Sequence, residues 1–342
     1  MKLPMKSRIA AVLAVCAAVS LGALGASSVE AAPASKAGKT RTVKTHKTAK
    51  HPKTAKSAKT VKAAKRKAAP AKRVELHESD ELLLKSTAVV VQDQASGKTL
   101  FEKNPDAVLP IASITKLMTA MVVLDAQQPL DEILTVGAED MDTLRGTRSR
   151  LKIGAELSRE DMLLLALMAS ENRAASALSR HYPGGAEAFV AAMNRKAATI
   201  GLKDTHFSDP TGLTPANVSS ARDLSKMVAA ASRYPLIRDL TTTSERTVSV
   251  GGREVTFRNT NTLVRSQTPG WEIAVSKTGY IREAGRCLVM QARLNNRPMV
   301  IVLLDSWGRQ TRIGDANRIK QWVEASAGNG QPSAALNRGA PS

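Results

Sequence analysis

The stretch IASITKLMTAMVV, residues 111–123, determines how the middle of this chain folds and where its chemistry lies. After Ser113 the sequence is mostly apolar, and no Gly or Pro interrupts it until Pro129. Such a run predicts a buried helix. Residues three apart share one face of a helix, so Lys116 can reach the hydroxyl of Ser113. A lysine beside a serine can activate the hydroxyl as a nucleophile without histidine.

A second Ser-x-x-Lys pattern occurs at Ser149 and Lys152. A pattern this short is expected about once by chance in a chain of this length. Here Leu151 and Ile153 alternate with polar neighbours, which predicts a strand. Residues three apart on a strand point to opposite faces, so Ser149 and Lys152 could not cooperate. The sequence therefore assigns the nucleophile to Ser113.

The tripeptide SEN, residues 170–172, occurs once and follows the apolar run 162–168. This run predicts a buried helix that ends at SEN. Ser158 and Asp161 have the residue types and spacing of a helix N-cap with a capping box. Taken alone, SEN is equally compatible with an ordinary polar helix end.

The tripeptide KTG, residues 277–279, also occurs once and follows the alternating apolar residues Ile273 and Val275. It is therefore expected on a strand or at its end, where Gly279 would let a substrate backbone approach closely. Taken alone, KTG is also compatible with a strand that leads into a turn. Three such motifs in one order on suitable elements point to acyl transfer through a serine.

In this order the three motifs resemble those of the low-molecular-mass penicillin-binding proteins, the S11-type D-Ala-D-Ala peptidases. The likeness covers roughly residues 80–325, and within the family it is strongest to the endopeptidase branch. That branch also carries a glutamate where this chain has Glu171, whereas many class A β-lactamases have aspartate. Similar stretches include DMLLLALMASENRAA at 161–175, HYPGG at 181–185, PTGL at 210–213 and GRCLVM at 285–290.

The resemblance implies an α/β fold of the β-lactamase/DD-peptidase type. It consists of an antiparallel sheet flanked by helices plus a mostly helical subdomain, with the site between them. The domain would occupy residues 80–325, which are enough for one large core. Residues 326–342 are rich in Gly, Pro, Ser, Asn and Ala and are expected to be a flexible tail. We expect neither the further β-rich domain nor the amphipathic anchor that several family members carry.

The resemblance also implies what the motif residues do. Ser113 would attack the carbonyl of the penultimate D-Ala of a wall peptide, and water would later release the enzyme. Lys116 would be the base, which requires a pKa lowered by burial and by a nearby cation, for which Lys277 is a candidate. Backbone N–H groups of Ser113 and Tyr280 would hold the oxyanion. The expected residues are Ser113, Lys116 and Ser170 in catalysis, and Asn172, Lys277, Thr278, Gly279 and Tyr280 in substrate binding.

Other segments predict regular structure around the motifs. Residues 87–92 and 99–102 predict a hairpin. Residues 287–294 and 299–304 predict strands joined by a turn at Asn295-Asn296, and a final helix is expected from about residue 311 to 325.

No cofactor or metal is expected. The five His lack a paired metal-ligand spacing, and two of them, His46 and His51, lie in the N-terminal segment. No G-x-S-x-G motif is present, which argues against an α/β-hydrolase triad.

Residues 1–31 have the pattern of a secretory signal peptide. Basic residues at the start precede an apolar stretch at 9–24, and Ala31 follows small residues suited to cleavage. An uncleaved membrane anchor is the alternative, which the short apolar stretch disfavours. We therefore expect the mature protein in the periplasm. Only Cys287 would remain after cleavage, so no internal disulfide is expected.

The Lys-rich segment 32–79, called the basic arm below, differs in composition from the rest. Its residues 33–74 contain fifteen Lys or Arg and no Asp or Glu, which supplies +15 of the net charge of +20. Such a segment cannot bury enough apolar surface to order itself, so we expect disorder. Its expected partners are anionic envelope polymers. Nucleic acid is the runner-up in principle, although export makes it unexpected, and a solvated spacer is the simplest alternative.

Four functions remain open at this point. A DD-endopeptidase that cuts peptidoglycan cross-links is preferred on the resemblance, and β-lactams would inhibit it covalently. A DD-carboxypeptidase that removes terminal D-Ala differs only in the leaving group. A β-lactamase would need fast deacylation, and no clear glutamate motif follows Asn172. A non-enzymatic wall-binding protein conflicts with the intact motif residues.

Overall fold

A computed structural model describes residues 82–328 of the chain. The predicted signal peptide, the basic arm and all but the first residues of the predicted tail lie outside the described residues. Those assignments therefore stay predictions.

The described part alternates between strands and helices. The strands are β1 (Ser86–Asp93), β2 (Thr99–Lys103), β3 (Leu109–Pro110), β4 (Ile133–Thr135), β5 (Glu156–Ser158), β6 (Val218–Ser219), β7 (Glu245–Val250), β8 (Arg253–Arg258), β9 (Glu272–Ile281), β10 (Gly285–Leu294) and β11 (Arg297–Ser306). The helices are α1 (Thr115–Asp125), α2 (Arg159–Met168), α3 (Asn172–Arg180), α4 (Gly185–Thr199), α5 (Ala221–Ala231), α6 (Pro235–Thr242), α7 (Thr262–Arg265) and α8 (Thr311–Gly328). Short 3₁₀ turns lie at Ala112–Ile114 and Ala138–Asp140.

Five strands form one antiparallel sheet in the order β2-β1-β11-β10-β9. The turn between β1 and β2 is closed by Asp93, whose carboxylate accepts from the N–H groups of Ala95 and Ser96 at 2.8 and 3.1 Å. Strands β10 and β11 join at Asn295 and Asn296, which both have positive φ, as a two-residue hairpin requires. Both predicted strand pairs are confirmed, and β9 lies at an edge of the sheet.

Both faces of this sheet are buried. One face contributes Val90 and Val302 to the larger core, which includes residues of α1, α2 and α5. The other face contributes Val91 and Ile301, which belong to a second core with Ile319 of α8. Strands covered on two faces appear in sequence as short continuous apolar runs, as residues 88–91 do.

The helices on one side of the sheet form the expected helical part. Helix α1 is buried along most of its length and contacts α2, α3 and α4. Helix α2 begins as predicted, because Ser158 Oγ accepts from the backbone N–H of Asp161 at 3.0 Å. Its apolar residues 162–168 are all buried. The predicted fold class, an antiparallel sheet with flanking helices and a mostly helical part, is confirmed.

The structure corrects one expectation about the fold. Residues 149–153 form a loop instead of a strand, because Leu151 is buried in the larger core while Ile153 is 54% exposed. An alternation over only four residues, 150–153, was too short to distinguish a strand from a loop. Helix α8 (Thr311–Gly328) agrees with the final helix expected from about residue 311 to 325.

Among residues 82–328, no helix combines the length and apolar character that crossing a membrane requires.

Candidate active site

Ser113 lies in the 3₁₀ turn that leads into α1, between two glycines of other segments. Ala112 has a positive φ of 49°, which is uncommon for a residue other than glycine. A Cβ on Gly212 would collide with the carbonyl of Ala112, and one on Gly279 would lie 2.8 Å from the carbonyl oxygen of Ile111. The strained turn is therefore held from both sides, and it leaves the side chain of Ser113 half-buried.

Lys116 lies one helical turn after Ser113, and its ammonium group has three oxygen partners. Its Nζ is 2.9 Å from Ser113 Oγ, 2.7 Å from Asn172 Oδ1 and 2.6 Å from the carbonyl oxygen of Thr211. The side chain is fully buried. Two of these partners can only accept hydrogen bonds, whereas the Ser113 hydroxyl can also donate.

Burial lowers the pKa of Lys116 to about 7, since a charged amine loses its hydration there. The negative charges of Asp209 and Glu171 oppose this lowering of the pKa. A substantial fraction of Lys116 is therefore neutral near pH 7 and can accept a proton.

Ser170 lies two residues beyond α2 and faces the other lysine of the site. It has a positive φ of 61°, and the next residue, Glu171, donates its N–H back to the carbonyl of Leu165 at 3.0 Å. This turn places Ser170 Oγ 2.9 Å from Nζ of Lys277. Lys116 thus contacts the serine of its own motif, whereas Lys277 contacts the serine of SEN.

Lys277 is buried in β9, and its pKa is lowered well below the usual value. Burial is the main cause, and the positive charges of Lys116 and Arg312 add to it. The sequence predicted that burial and a nearby cation would lower the pKa of Lys116, with Lys277 as a candidate for that cation. At Lys116 burial is the main cause, as expected, whereas the repulsion between the two lysines lowers the pKa of Lys277.

The KTG motif lies within β9, which continues to Ile281. The hydroxyl of Thr278 donates to Thr260 Oγ1 at 2.7 Å. Gly279 is expected to make room for a substrate backbone, and in the structure it also gives room to the turn around Ser113. The Tyr280 side chain is 57% exposed, and the guanidinium of Arg286 lies 4.5 Å from its ring centroid.

Several residues of the site were not identified from the sequence. Asp209 accepts from the backbone N–H groups of Gly212 and Thr214 at 2.7 and 3.0 Å, which shapes the loop that presents the Thr211 carbonyl to Lys116. The Asp-Pro-Thr-Gly sequence does predict a turn. In contrast, no local signal indicates that Arg312 of α8 donates to the carbonyl of Gly279 at 3.1 Å.

The loop at residues 142–151 packs beside SEN. Thr147 Oγ1 accepts from the amide of Asn172 at 3.2 Å. Ser149, the serine of the alternative motif, donates its hydroxyl to Glu171 at 2.7 Å and accepts from the N–H of Leu151. Ser149 therefore supports the site without taking the place of Ser113.

All eight residues predicted for the site lie on the segments that meet at this cleft. A serine hydroxyl, a buried amine that is neutral in part near pH 7, a second Ser–Lys pair and an edge strand suit acyl transfer to serine. Within residues 82–328, no group of three or more His, Cys, Asp or Glu could hold a metal ion.

The comparisons with known proteins agree with this geometry. The family model described as D-alanyl-D-alanine carboxypeptidase, Peptidase S11, matches residues 74–308. A D-alanyl-D-alanine endopeptidase of Pseudomonas aeruginosa is 48% identical over 78% of this chain and 86% of its own. A D-alanyl-D-alanine endopeptidase of Escherichia coli is 45% identical over 79% of this chain and 87% of its own.

Solved structures are similar as well. The Streptomyces K15 DD-transpeptidase aligns with a TM-score of 0.66 and 28% identity, over 71% of this chain and 98% of its own. The family match, the high identity to two relatives and the shared fold lead to one conclusion: this chain is an enzyme of the S11 family of serine D-Ala-D-Ala peptidases.

Proposed function

We propose that this enzyme is a serine DD-endopeptidase that hydrolyses D-Ala-containing cross-links of peptidoglycan through an acyl-enzyme on Ser113. The observation that carries the proposal is the contact of 2.9 Å between Ser113 Oγ and Nζ of the fully buried Lys116. A buried amine with a pKa of about 7 is matched to the pH at which a general base must work.

Acylation follows from the partners of Lys116. The neutral amine keeps two N–H donors for Asn172 and the Thr211 carbonyl, and its lone pair is left for the hydroxyl of Ser113. As Ser113 Oγ attacks the carbonyl carbon of D-Ala, its proton passes to Lys116. Backbone N–H groups of Ser113 and Tyr280 would hold the resulting oxyanion.

The proton that Lys116 took from Ser113 then has to reach the leaving amine, which returns Lys116 to its neutral form. Ser170 is the proposed relay, because its hydroxyl contacts Lys277 at 2.9 Å. The C–N bond breaks, the amine leaves protonated, and Ser113 remains esterified. Attack by water, with Lys116 again as base, regenerates the free serine.

Substrate binding is assigned to Asn172 and to residues 277–280 of the edge strand. An edge strand has one side free to pair with an extended peptide. Lys277 and the Thr278 hydroxyl suit a carboxylate on the substrate or on a β-lactam, which we expect to acylate Ser113 in the same way.

The endopeptidase assignment is favoured over DD-carboxypeptidase by the names of the two relatives that share nearly half of their aligned residues with this chain. The carboxypeptidase activity remains the second candidate, because it is the description of the family itself. We further propose that the enzyme works in the periplasm, with its basic arm bound to anionic envelope polymers.

The test uses two variants, Ser113→Ala and its matched control Ser149→Ala, with fluorescent penicillin and two substrates. Ser113→Ala should lose labelling and hydrolysis, whereas Ser149→Ala should keep labelling. Wild-type enzyme should split cross-linked muropeptide dimers faster than it releases D-Ala from pentapeptide monomers. Labelling that survives in Ser113→Ala would refute the assignment of Ser113 as the nucleophile. Release of D-Ala from pentapeptides faster than cleavage of dimers would favour the carboxypeptidase.

A further inference from the structure

A basic groove lies between the loop 149–155 and the β7–β8 hairpin, with a volume of about 510 Å³. Its cations are Arg150, Lys152 and Arg253, and the exposed Ile153 adds an apolar surface. No carboxylate is among its lining residues in the part of the chain that the structure describes.

The positive charges of the basic groove are not neutralised within residues 82–328. None of the ion pairs found there involves Arg150, Lys152 or Arg253. Glu254 is paired in register with Ser249, on the face of the hairpin opposite to Arg253. The groove therefore presents three cations together, which suits an anionic ligand.

Arg150 is held ready for such a ligand. Its guanidinium lies 3.8 Å from the ring centroid of the buried Phe257, and Nη1 donates to the carbonyl of Thr256 at 2.7 Å. This contact orders the guanidinium while its remaining N–H donors stay available. A guanidinium that is already ordered loses less entropy when it binds a carboxylate.

One wall of the basic groove is bonded directly to the SEN motif. Ser149 lines the groove and donates to Glu171 at 2.7 Å, and Arg173 donates to the carbonyl of Leu151 at 2.6 Å. The loop that carries Arg150 and Lys152 is therefore fixed to the segment that carries Ser170.

The other wall connects to the KTG motif. Thr260 lies two residues after β8 and donates its N–H to the carbonyl of Met168 at 3.0 Å. Its Oγ1 accepts a hydrogen bond from the hydroxyl of Thr278. Both walls of the basic groove are thus connected by hydrogen bonds to the segments that carry Ser170 and Thr278. Ser170 is the residue through which the proposed mechanism delivers a proton to the leaving amine.

We propose that the basic groove binds the carboxylate-bearing stem peptide that leaves when a cross-linked dimer is cut. This inference rests on the proposed endopeptidase function. A carboxypeptidase releases a single D-Ala, which is too short to extend from the scissile bond along a groove of this size. A second stem peptide is long enough, carries carboxylates for the three cations and has methyl groups for Ile153.

The test reverses two exposed charges, in the variant Lys152→Glu/Arg253→Glu. The matched control is Lys98→Glu/Lys203→Glu, which makes the same change in net charge at exposed positions outside the groove. For each protein, kcat/KM on cross-linked dimers is measured alongside the rate of acylation by penicillin, which carries no second stem peptide.

The groove variant should lose about tenfold in kcat/KM on dimers, since two modest ion pairs become repulsive. Its acylation by penicillin should stay at the wild-type rate, which also shows that it is folded. The loss should shrink at high salt, because screening shortens to about 3 Å at 1 M. Dimers with amidated carboxylates should be cut equally fast by the groove variant and by the control, because no charge remains on the peptide for the reversed side chains to repel.

Three results would overturn the inference. Equal dimer cleavage by the groove variant, the control and wild type would show that the cations do not contact the substrate. An equal loss in dimer cleavage and in penicillin acylation would show general damage to the site instead of a binding role. If wild type failed to cut dimers at all, the proposed endopeptidase function would fall together with the inference.

Discussion

The rate of acylation by penicillin should rise with pH through an inflection near 7. Only the neutral form of Lys116 can take the proton of Ser113, and burial lowers the pKa of this lysine to about 7. The neutral fraction is then about 9% at pH 6 and about 91% at pH 8. We therefore expect an increase of about tenfold in the second-order acylation rate between these values.

The sign of this change distinguishes Lys116 from Lys277. Deprotonation of Lys277 would remove a cation that binds the carboxylate of penicillin, so it would lower the rate as pH rises. A rising limb therefore reports Lys116. The assay is stopped-flow or gel-based labelling at constant ionic strength from pH 5.5 to 8.5.

The variant Glu171→Gln tests the same assignment by removing a negative charge near Lys116. The charge of Glu171 raises the pKa of Lys116, so its removal should move the inflection to lower pH. Ser149→Ala removes the hydrogen bond of 2.7 Å between Ser149 Oγ and Glu171 but leaves the charge of Glu171 in place. The inflection of this variant should therefore remain near pH 7. A rate independent of pH from 6 to 8, or an inflection near 10, would refute the role of a neutral Lys116.

Three further predictions concern the fold and the basic arm. Gly212→Ala should lower the free energy of unfolding by about 2–4 kcal/mol in denaturant, because Gly212 has a positive φ and its new Cβ would collide with the carbonyl of Ala112. The control Gly314→Ala in α8 should not destabilise the protein. A chain that begins at Glu75 should bind penicillin normally but lose its salt-sensitive retention on isolated cell walls; equal retention of both forms would make the arm only a spacer. In that shortened chain Cys287 is the single thiol, and burial raises its pKa to about 11, so a thiol reagent at pH 8 should modify it only after unfolding.

The sequence was sufficient for the elements whose signals are local. Helix α1 follows from an uninterrupted apolar run, and the turn at Asn295 and Asn296 follows from two residues that tolerate positive φ. The pairing of Ser113 with Lys116 follows from helical spacing alone. These features depend on neighbours within a few residues, which is the range over which composition and periodicity are informative.

The tertiary structure decided which distant groups share the site. The second and third partners of Lys116, Asn172 and the Thr211 carbonyl, are separated from it by 56 and 95 residues. Local patterns carry no information on such contacts. Burial of Lys116, and with it the main cause of its lowered pKa, is a property of the packed cleft and not of the tetrapeptide.

Two positions show the same limit. Residues 149–153 alternate like a strand but form a loop, because Leu151 is drawn into the core while Ser149 bonds to Glu171. Gly279 lacks a side chain because the turn around Ser113 packs against it. In both cases the deciding contact joins segments far apart in the chain. The sequence by itself therefore determined the local elements and the identity of the reactive residues, and packing between distant segments determined their environment.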